Sequence, residues 1–307
     1  MTKGIERTFE GIGKCLTRYK ITGTGTEALD QNEEEYGNVL INTTDFENST
    51  CDICRTPIST DGFSYCDSCL TENLSDSKYA DHVINHFYSR IWFEQYPTKS
   101  YMIMDGYKKS EFQLEKYKPL FKLSFQNAFE IHRECFKSII KNAISHWLFV
   151  PSTHIRPDDY VHPIGRIITQ EVIDSAFSNS PIFVNCQYDF TKNVAKHTIS
   201  SDKFILPIQE VHANSHLLIV DDSWTAGANT ESIALKAKEL GFSEVTIWTV
   251  ADMVDGRYLN VKSVVNKIKI TNKYYTPHFC PIFGVKMKEI SKSIADDVTT
   301  TNNEWSR

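Results

Sequence analysis

Short apolar runs alternate with amphipathic segments over the second half of the chain. Four runs have the length and the polar borders of buried parallel strands, at residues 147–150, 181–186, 216–220 and 244–250. Between them, segments 162–177 and 230–240 place apolar residues at helical spacing, and Gly241 follows the second segment as a helix-ending residue. This alternation predicts an α/β fold with a parallel sheet flanked by helices.

The first half of the chain predicts helices. Val83, Phe87, Ile91 and Trp92 have helix-like spacing within Lys78–Tyr96, and Phe112–Ile144 fits one or two further amphipathic helices. Residues 1–49 are mostly polar, with a Thr/Gly run at 22–26, and predict a weakly structured leader. Residues 286–307 predict a polar tail that frays.

The stretch His216–Glu231 carries the most specific chemistry. Its apolar run ends in Asp221 and Asp222, and a loop of small and hydroxyl residues leads into the predicted helix. Backbone N–H groups at a helix N-terminus bind anions, and Gly227 is expected to let a phosphate approach the backbone closely. The candidate phosphate-binding residues are Ser223, Thr225, Ala226, Gly227, Ala228, Asn229 and Thr230.

Two carboxylates beside a phosphate-binding loop suit a ribose phosphate. Asp221 and Asp222 can accept hydrogen bonds from paired sugar hydroxyls or hold Mg²⁺. The alternative is an ordinary strand-to-helix turn in which one of the two acids caps the helix. We favour the phosphate site because several positions must fit together.

Two Cys-x-x-Cys pairs predict a metal site near the N-terminus. Cys51 and Cys54 form one pair and Cys66 and Cys69 the other, with an eleven-residue spacer between them. Four thiolates at this spacing are typical of a structural Zn²⁺ site. Disulfides or a redox dithiol are the alternatives, which a reducing compartment and the repeated pair disfavour.

Composition narrows the function classes. The chain has 307 residues, 41% hydrophobic and 23% charged, with a formal net charge of −6, which disfavours nonspecific nucleic-acid binding. The N-terminus has no apolar segment suited to a signal peptide, and no later window reaches the length of a membrane span. We therefore expect a cytoplasmic protein without a membrane partner.

The paired cysteines, the segment around Tyr107-Lys108, Val150-Pro151-Ser152 and the Asp221–Asn229 motif together resemble the ComF-like zinc-ribbon phosphoribosyltransferases of type I. The resemblance implies a Rossmann-like type I phosphoribosyltransferase fold that binds phosphoribosyl pyrophosphate with Mg²⁺. Trp224 and Asn229 depart from the usual motif. The implied division is a leader (1–49), a zinc ribbon (50–72), a helical connector that begins the catalytic domain (73–145), a phosphoribosyltransferase domain (146–285) and a tail (286–307).

The resemblance also assigns roles. Asp221 and Asp222 would hold the ribose hydroxyls, and the loop after the first strand, with Ser152, Thr153 and Arg156, would bind pyrophosphate. A Pro-framed turn with a solvated arginine explains that loop equally well. The long polar segment 187–203 would close over pyrophosphate with Lys192 and Lys196, although a surface loop explains it nearly as well.

Two classes of function remain open from the sequence. The first is an enzyme that transfers ribose phosphate to an unidentified acceptor. The second is a non-catalytic sensor of a phosphoribosyl ligand, or a scaffold, whose zinc ribbon binds a protein or single-stranded DNA. The sequence leaves the oligomeric state open, a dimer included.

Overall fold

The structure is a computed structural model. It describes residues 41–43, 49–58, 63–76, 78–90, 92–93, 96–97, 99–154, 160–195, 197–254, 279–283 and 285–286. None of the helices in these ranges combines the length and apolar character needed to cross a bilayer.

The described residues form the following strands and α-helices. The strands are β1 Ile41–Asn42, β2 His82–Arg90, β3 Trp92–Phe93, β4 Tyr96–Pro97, β5 His146–Phe149, β6 Ile182–Phe183, β7 Gln187–Tyr188, β8 Phe204–Ile205, β9 His216–Trp224, β10 Glu244–Val254, β11 Phe279–Cys280 and β12 Val285–Lys286. The α-helices are α1 Asp67–Thr71, α2 Lys99–Gly106, α3 Glu111–Gln126, α4 Arg133–Ile139, α5 Pro163–Ile167, α6 Gln170–Ala176 and α7 Ala228–Glu239. A π-helical turn at Asn127–Ile131 joins α3 to α4, and Ser201–Lys203 forms a 3₁₀ turn.

Six strands form the main sheet in the order β1-β2-β10-β9-β5-β6. β2, β10, β9, β5 and β6 are parallel, and β1 pairs antiparallel with β2 at one edge. Helices cover the sheet, so the predicted α/β architecture with a parallel sheet is confirmed.

The helix predicted over Lys78–Tyr96 is wrong. Residues 82–90 form β2, which pairs with β10 along its length. Ile84, Phe87 and Tyr88 are all buried, so β2 is covered on both faces and lacks the alternation of a half-exposed strand. An apolar run of this kind does not separate a buried strand from a buried helix by period alone.

Other predicted elements hold with changed boundaries. The helices expected over 112–144 are α3 and α4, and the one expected over 162–177 is divided into α5 and α6. The segment 187–203 begins with β7, which pairs with β8, and ends in the 3₁₀ turn, while its described residues between 189 and 200 form turns and loops. Within the predicted leader, β1 belongs to the main sheet; residues 1–40 and the predicted tail from 287 onward lie outside the described residues.

Two apolar cores lie on opposite faces of the sheet. Leu218 and Val220 of β9 point into a core built mainly from helices α2–α6, whereas Leu217 and Ile219 point into a core with α7 and the cysteine module. The alternation along β9 therefore sends successive side chains to different layers. Asp221 and Asp222, which follow Val220 in the same strand, therefore start on opposite faces of the sheet.

Candidate functional site

The site lies where the strand order reverses. β5 is followed along the chain by β6 on its outer side, and β9 is followed by β10 on the opposite side. β5 ends at Phe149 opposite Val220, whereas β9 stays paired with β10 as far as Trp224. The predicted strand end at the acid pair is thus corrected to Trp224, and residues 221–224 lie open on the β5 side. Crevices of this kind bind ligands in open α/β sheets.

Asp222 is buried and has partners on both oxygens. Tyr107 Oη donates to Asp222 Oδ2 at 2.7 Å, and the Lys108 ammonium contacts the same oxygen. Ser223 Oγ donates to Oδ1 at 3.1 Å. Burial raises the pKa of the Asp222 carboxyl, but the Lys108 charge, His162 and these hydrogen bonds outweigh burial and lower it. These partners favour the ionised form of Asp222.

Asp221 points to the other side of β9 and is partly exposed. Its Oδ1 accepts the backbone N–H of Asp222 at 2.8 Å. Burial and the neighbouring Asp222 charge raise the pKa of Asp221 well above its usual range. The two acids therefore differ in their partners as well as in direction.

The loop into α7 depends on a glycine for two reasons. Gly227 has φ +73°, a left-handed conformation, and a Cβ there would lie 2.4 Å from Trp224 Cη2. That Cβ would meet the indole, so Gly227 also has a role in packing; the predicted approach of an anion to its backbone stays a prediction, and Gly227 lines the cavity described below. Trp224 is buried, and its indole packs against the Gly227 backbone.

The first turn of α7 leaves backbone donors available. Its N-cap is Gly227, which has no side chain to cap the first N–H groups, and helix N-terminal N–H groups have no intrahelical partner. Thr230 is buried, and its hydroxyl donates to the Gly227 carbonyl at 3.0 Å. Thr230 thus stabilises the turn with its side chain and can offer its backbone N–H.

A cavity of about 520 Å³ unites most of the predicted site. Both acids, Ser223, the loop Thr225–Thr230, Ser152 and Thr153 line it. Further lining residues are Lys108, Val150, Pro151, His154, Tyr160, His162 and His197. Lys192 is exposed and is not among the lining residues, and Arg156 and Lys196 lie outside the described residues.

Lys108 and Tyr107 are the contacts whose roles the sequence did not indicate. They follow α2 directly and lie 114 and 115 positions before Asp222 along the chain. The Tyr-Lys pair was visible, but no local pattern connects it with an acid on a distant strand. His162, at the N-cap of α5, was missed for the same reason.

The four cysteines form the predicted cluster. All are buried, and their sulfur atoms lie within 4.8 Å of one another. Cys54 Sγ is 3.7 Å from Cys66 Sγ and 3.6 Å from Cys69 Sγ. A tetrahedral Zn²⁺ with Zn–S bonds of about 2.3 Å separates its ligands by about 3.8 Å, so the cluster can hold a metal such as zinc. The thiols are free, not paired in the disulfides considered above.

The cysteine module is attached to the main sheet by polar contacts. Asn85 Nδ2 donates to the Cys54 carbonyl at 2.8 Å, and Tyr88 Oη donates to the Arg55 carbonyl at 2.5 Å. Thr56 Oγ1 donates to the buried Asp252 carboxyl at 2.8 Å. These contacts join β2 and β10 to the first Cys-x-x-Cys pair, so the module is part of the sheet's covering layer.

Comparison of the chain with protein-family models, with curated proteins and with solved structures finds no match. The resemblance to ComF-like phosphoribosyltransferases therefore stays a prediction. Asp222 is also a poor direct ligand for the predicted Mg²⁺, because the Lys108 ammonium contacts its Oδ2 and would repel a divalent cation there.

Proposed function

We propose that this protein is a type I phosphoribosyltransferase that transfers ribose 5-phosphate from phosphoribosyl pyrophosphate to a small-molecule acceptor. One observation carries the proposal. The open end of β9, with its two acids, faces the uncapped start of α7 and the loop after β5 in a single cavity. Mg²⁺ would enter on the diphosphate as part of the substrate, and Zn²⁺ in the cysteine cluster would be structural.

Each part of the cavity suits one part of that ligand. The backbone donors of Thr225–Thr230 suit the 5-phosphate, and the acid pair suits the ribose 2- and 3-hydroxyls. Ser152 and Thr153 suit the diphosphate, together with Arg156 from the same loop. Lys192 and Lys196 are assigned to the diphosphate on the resemblance alone.

The proposed reaction needs no protein nucleophile. A nitrogen or other nucleophilic atom of the acceptor forms a bond to ribose C1 as the C1–O bond to diphosphate breaks. Diphosphate leaves with the bonding electron pair, and the acceptor releases a proton to water. Carboxylates beside the sugar stabilise the positive charge that develops on the ribose ring.

A second cavity supports transfer over simple ligand sensing. It measures about 570 Å³ and shares Lys108 and Tyr160 with the first. Leu114, Val161, Pro163 and Arg166 line it further on. We propose that the acceptor binds there, because the shared wall brings it beside the ribose. Ligand pockets of this size are usually mostly apolar with a few polar groups.

Calorimetry with phosphoribosyl pyrophosphate tests the proposal. We expect micromolar binding by the wild type, about tenfold or greater loss in Asp221→Asn, and little change in Asp174→Asn, an exposed acid on α6. Release of diphosphate with one of a panel of bases and amines would establish turnover. A wild type that fails to bind phosphoribosyl pyrophosphate would overturn the proposal.

The second candidate function is a phosphoribosyl-ligand sensor with a protein partner on the cysteine module. Phe63 and Leu70 of the module are 48% and 51% exposed, which suits protein contact. Residues 50–72 carry four acids and one arginine, so single-stranded DNA is the less favoured partner. Binding of phosphoribosyl pyrophosphate without diphosphate release with any acceptor would favour this function.

A further inference from the structure

Lys108 places a positive charge beside the two carboxylates. The Lys108 ammonium contacts Asp222 Oδ2 and lies 5.5 Å from the centre of the Tyr107 ring, while its side chain stays 40% exposed. An ammonium has three donors, so contact with Asp222 leaves others for the cavity that Lys108 also lines. The two acids and Lys108 together carry less negative charge than two free carboxylates.

The same contacts oppose a divalent ion at the pair, mainly through the Lys108 charge. Mg²⁺ binds through open carboxylate oxygens in near-octahedral geometry. Asp222 Oδ2 receives Tyr107 and Lys108, Asp222 Oδ1 receives Ser223, and Asp221 Oδ1 receives a backbone N–H. A metal bound to Asp222 Oδ2 would have to displace the ammonium or lie beside it against its repulsion.

We propose that Lys108 is a built-in counter-ion that keeps divalent metal off the acid pair and reduces the metal requirement of ligand binding. Its role is to position Asp222 and to supply the positive charge that a metal would otherwise supply. The pair then serves sugar hydroxyls. This inference rests on the proposed function for the identity of the ligand, but not for the exclusion of metal.

Mn²⁺ is the probe for the exclusion of metal, because it binds oxygen sites and its free form is counted by electron paramagnetic resonance. With the cysteine cluster loaded with zinc, Lys108→Met should bind one Mn²⁺ at least about tenfold more tightly than the wild type, since a charge a few ångströms away is removed. Lys108→Arg keeps the cation and should match the wild type. Lys109→Met, at an exposed neighbour paired with Asp105, is the matched control.

Adding Asp222→Asn to Lys108→Met should abolish the new site. Equal Mn²⁺ affinity in the wild type and Lys108→Met, whether strong or absent, would overturn the proposal. So would a site that survives Asp222→Asn, because that site would lie elsewhere. Circular dichroism of each variant checks that the sheet is intact.

A second measurement concerns the ligand itself. Omitting Mg²⁺ should weaken the binding of phosphoribosyl pyrophosphate to Lys108→Met by a factor at least about threefold larger than for the wild type, whose own dependence comes from the metal carried on the diphosphate. Equal metal dependence in both would overturn the role of Lys108 in ligand binding. If the wild type binds no phosphoribosyl pyrophosphate under either condition, the proposed function fails, while the Mn²⁺ result still decides whether Lys108 excludes metal.

Discussion

At the scale of single residues, Trp224 and Gly227 are fitted to each other. Trp224 fills the space beneath the loop, and Gly227 is the residue that can pass over it with φ +73°. The bulky residue that departs from the resembled motif is therefore a packing element of this loop. Its packing against Gly227 supports the loop that leads to the backbone donors of α7.

Gly227→Ala should lower the free energy of unfolding by about 2–4 kcal/mol, because it adds both φ strain and a clash with the indole. In a Trp224→Phe background the clash is removed, so the added cost should fall to about 1 kcal/mol, the cost of φ alone. Chemical denaturation of the four proteins in this double-mutant cycle measures the difference. Gly241→Ala is the control, since it has positive φ but no neighbour within 4 Å. Additive costs would show that the two residues do not interact.

At the scale of elements, the cysteine module and the sheet depend on each other. The module has few apolar residues and relies on its four thiols, as expected of a small metal-binding fold. Its contacts reach the middle of β2 through Asn85, and the carboxyl-terminal parts of β2 and β10 through Tyr88 and Asp252. Loss of the metal should therefore destabilise β2 and β10 as well as the module.

Cys66→Ser should reduce tightly bound zinc from about one ion per chain to none, because a tetrahedral site loses a ligand. Hydrogen exchange should then rise in residues 49–76 and at the carboxyl ends of β2 and β10, but not in β5. Cys186→Ser, at a buried thiol far along the chain from the cluster, is the matched control and should keep its zinc. Unchanged zinc content in Cys66→Ser would contradict the assignment.

At the scale of the whole molecule, Glu244 connects the amino ends of β2, β9 and β10 with the segment after α4. It is buried at the start of β10, and its carboxylate lies 2.9 Å from His82 Nε2 on β2 and 3.5 Å from His216 Nδ1 on β9. The backbone N–H groups of Lys141 and Asn142 donate to it at 2.8–3.0 Å. Burial opposes ionisation of Glu244, but these partners outweigh burial and lower its pKa to about 2.

Because the folded pKa lies below the ordinary value of 4.5, Glu244 stabilises the fold above about pH 4.5 and loses that effect as the pH falls through about 2. The difference amounts to about 3 kcal/mol. Glu244→Gln should therefore be about 2–3 kcal/mol less stable at pH 7 and lose less stability than the wild type between pH 4.5 and 2. Urea titrations at each pH measure this, with the exposed Glu115→Gln as control. An equal loss of the free energy of unfolding between pH 4.5 and 2 in the wild type and Glu244→Gln would contradict the prediction.

Sequence alone determined the features that are local along the chain. The cysteine spacing, the strand that carries Asp221 and Asp222, and the turn into α7 all lie within short stretches, where residue type and period decide the conformation. Tertiary structure decided the remainder. β2 is a strand because β10 pairs with it along its length, and Tyr107 and Lys108 reach Asp222 because the sheet and α2 pack together. Such contacts depend on packing between residues more than a hundred positions apart, and no local period records which distant partner a side chain meets.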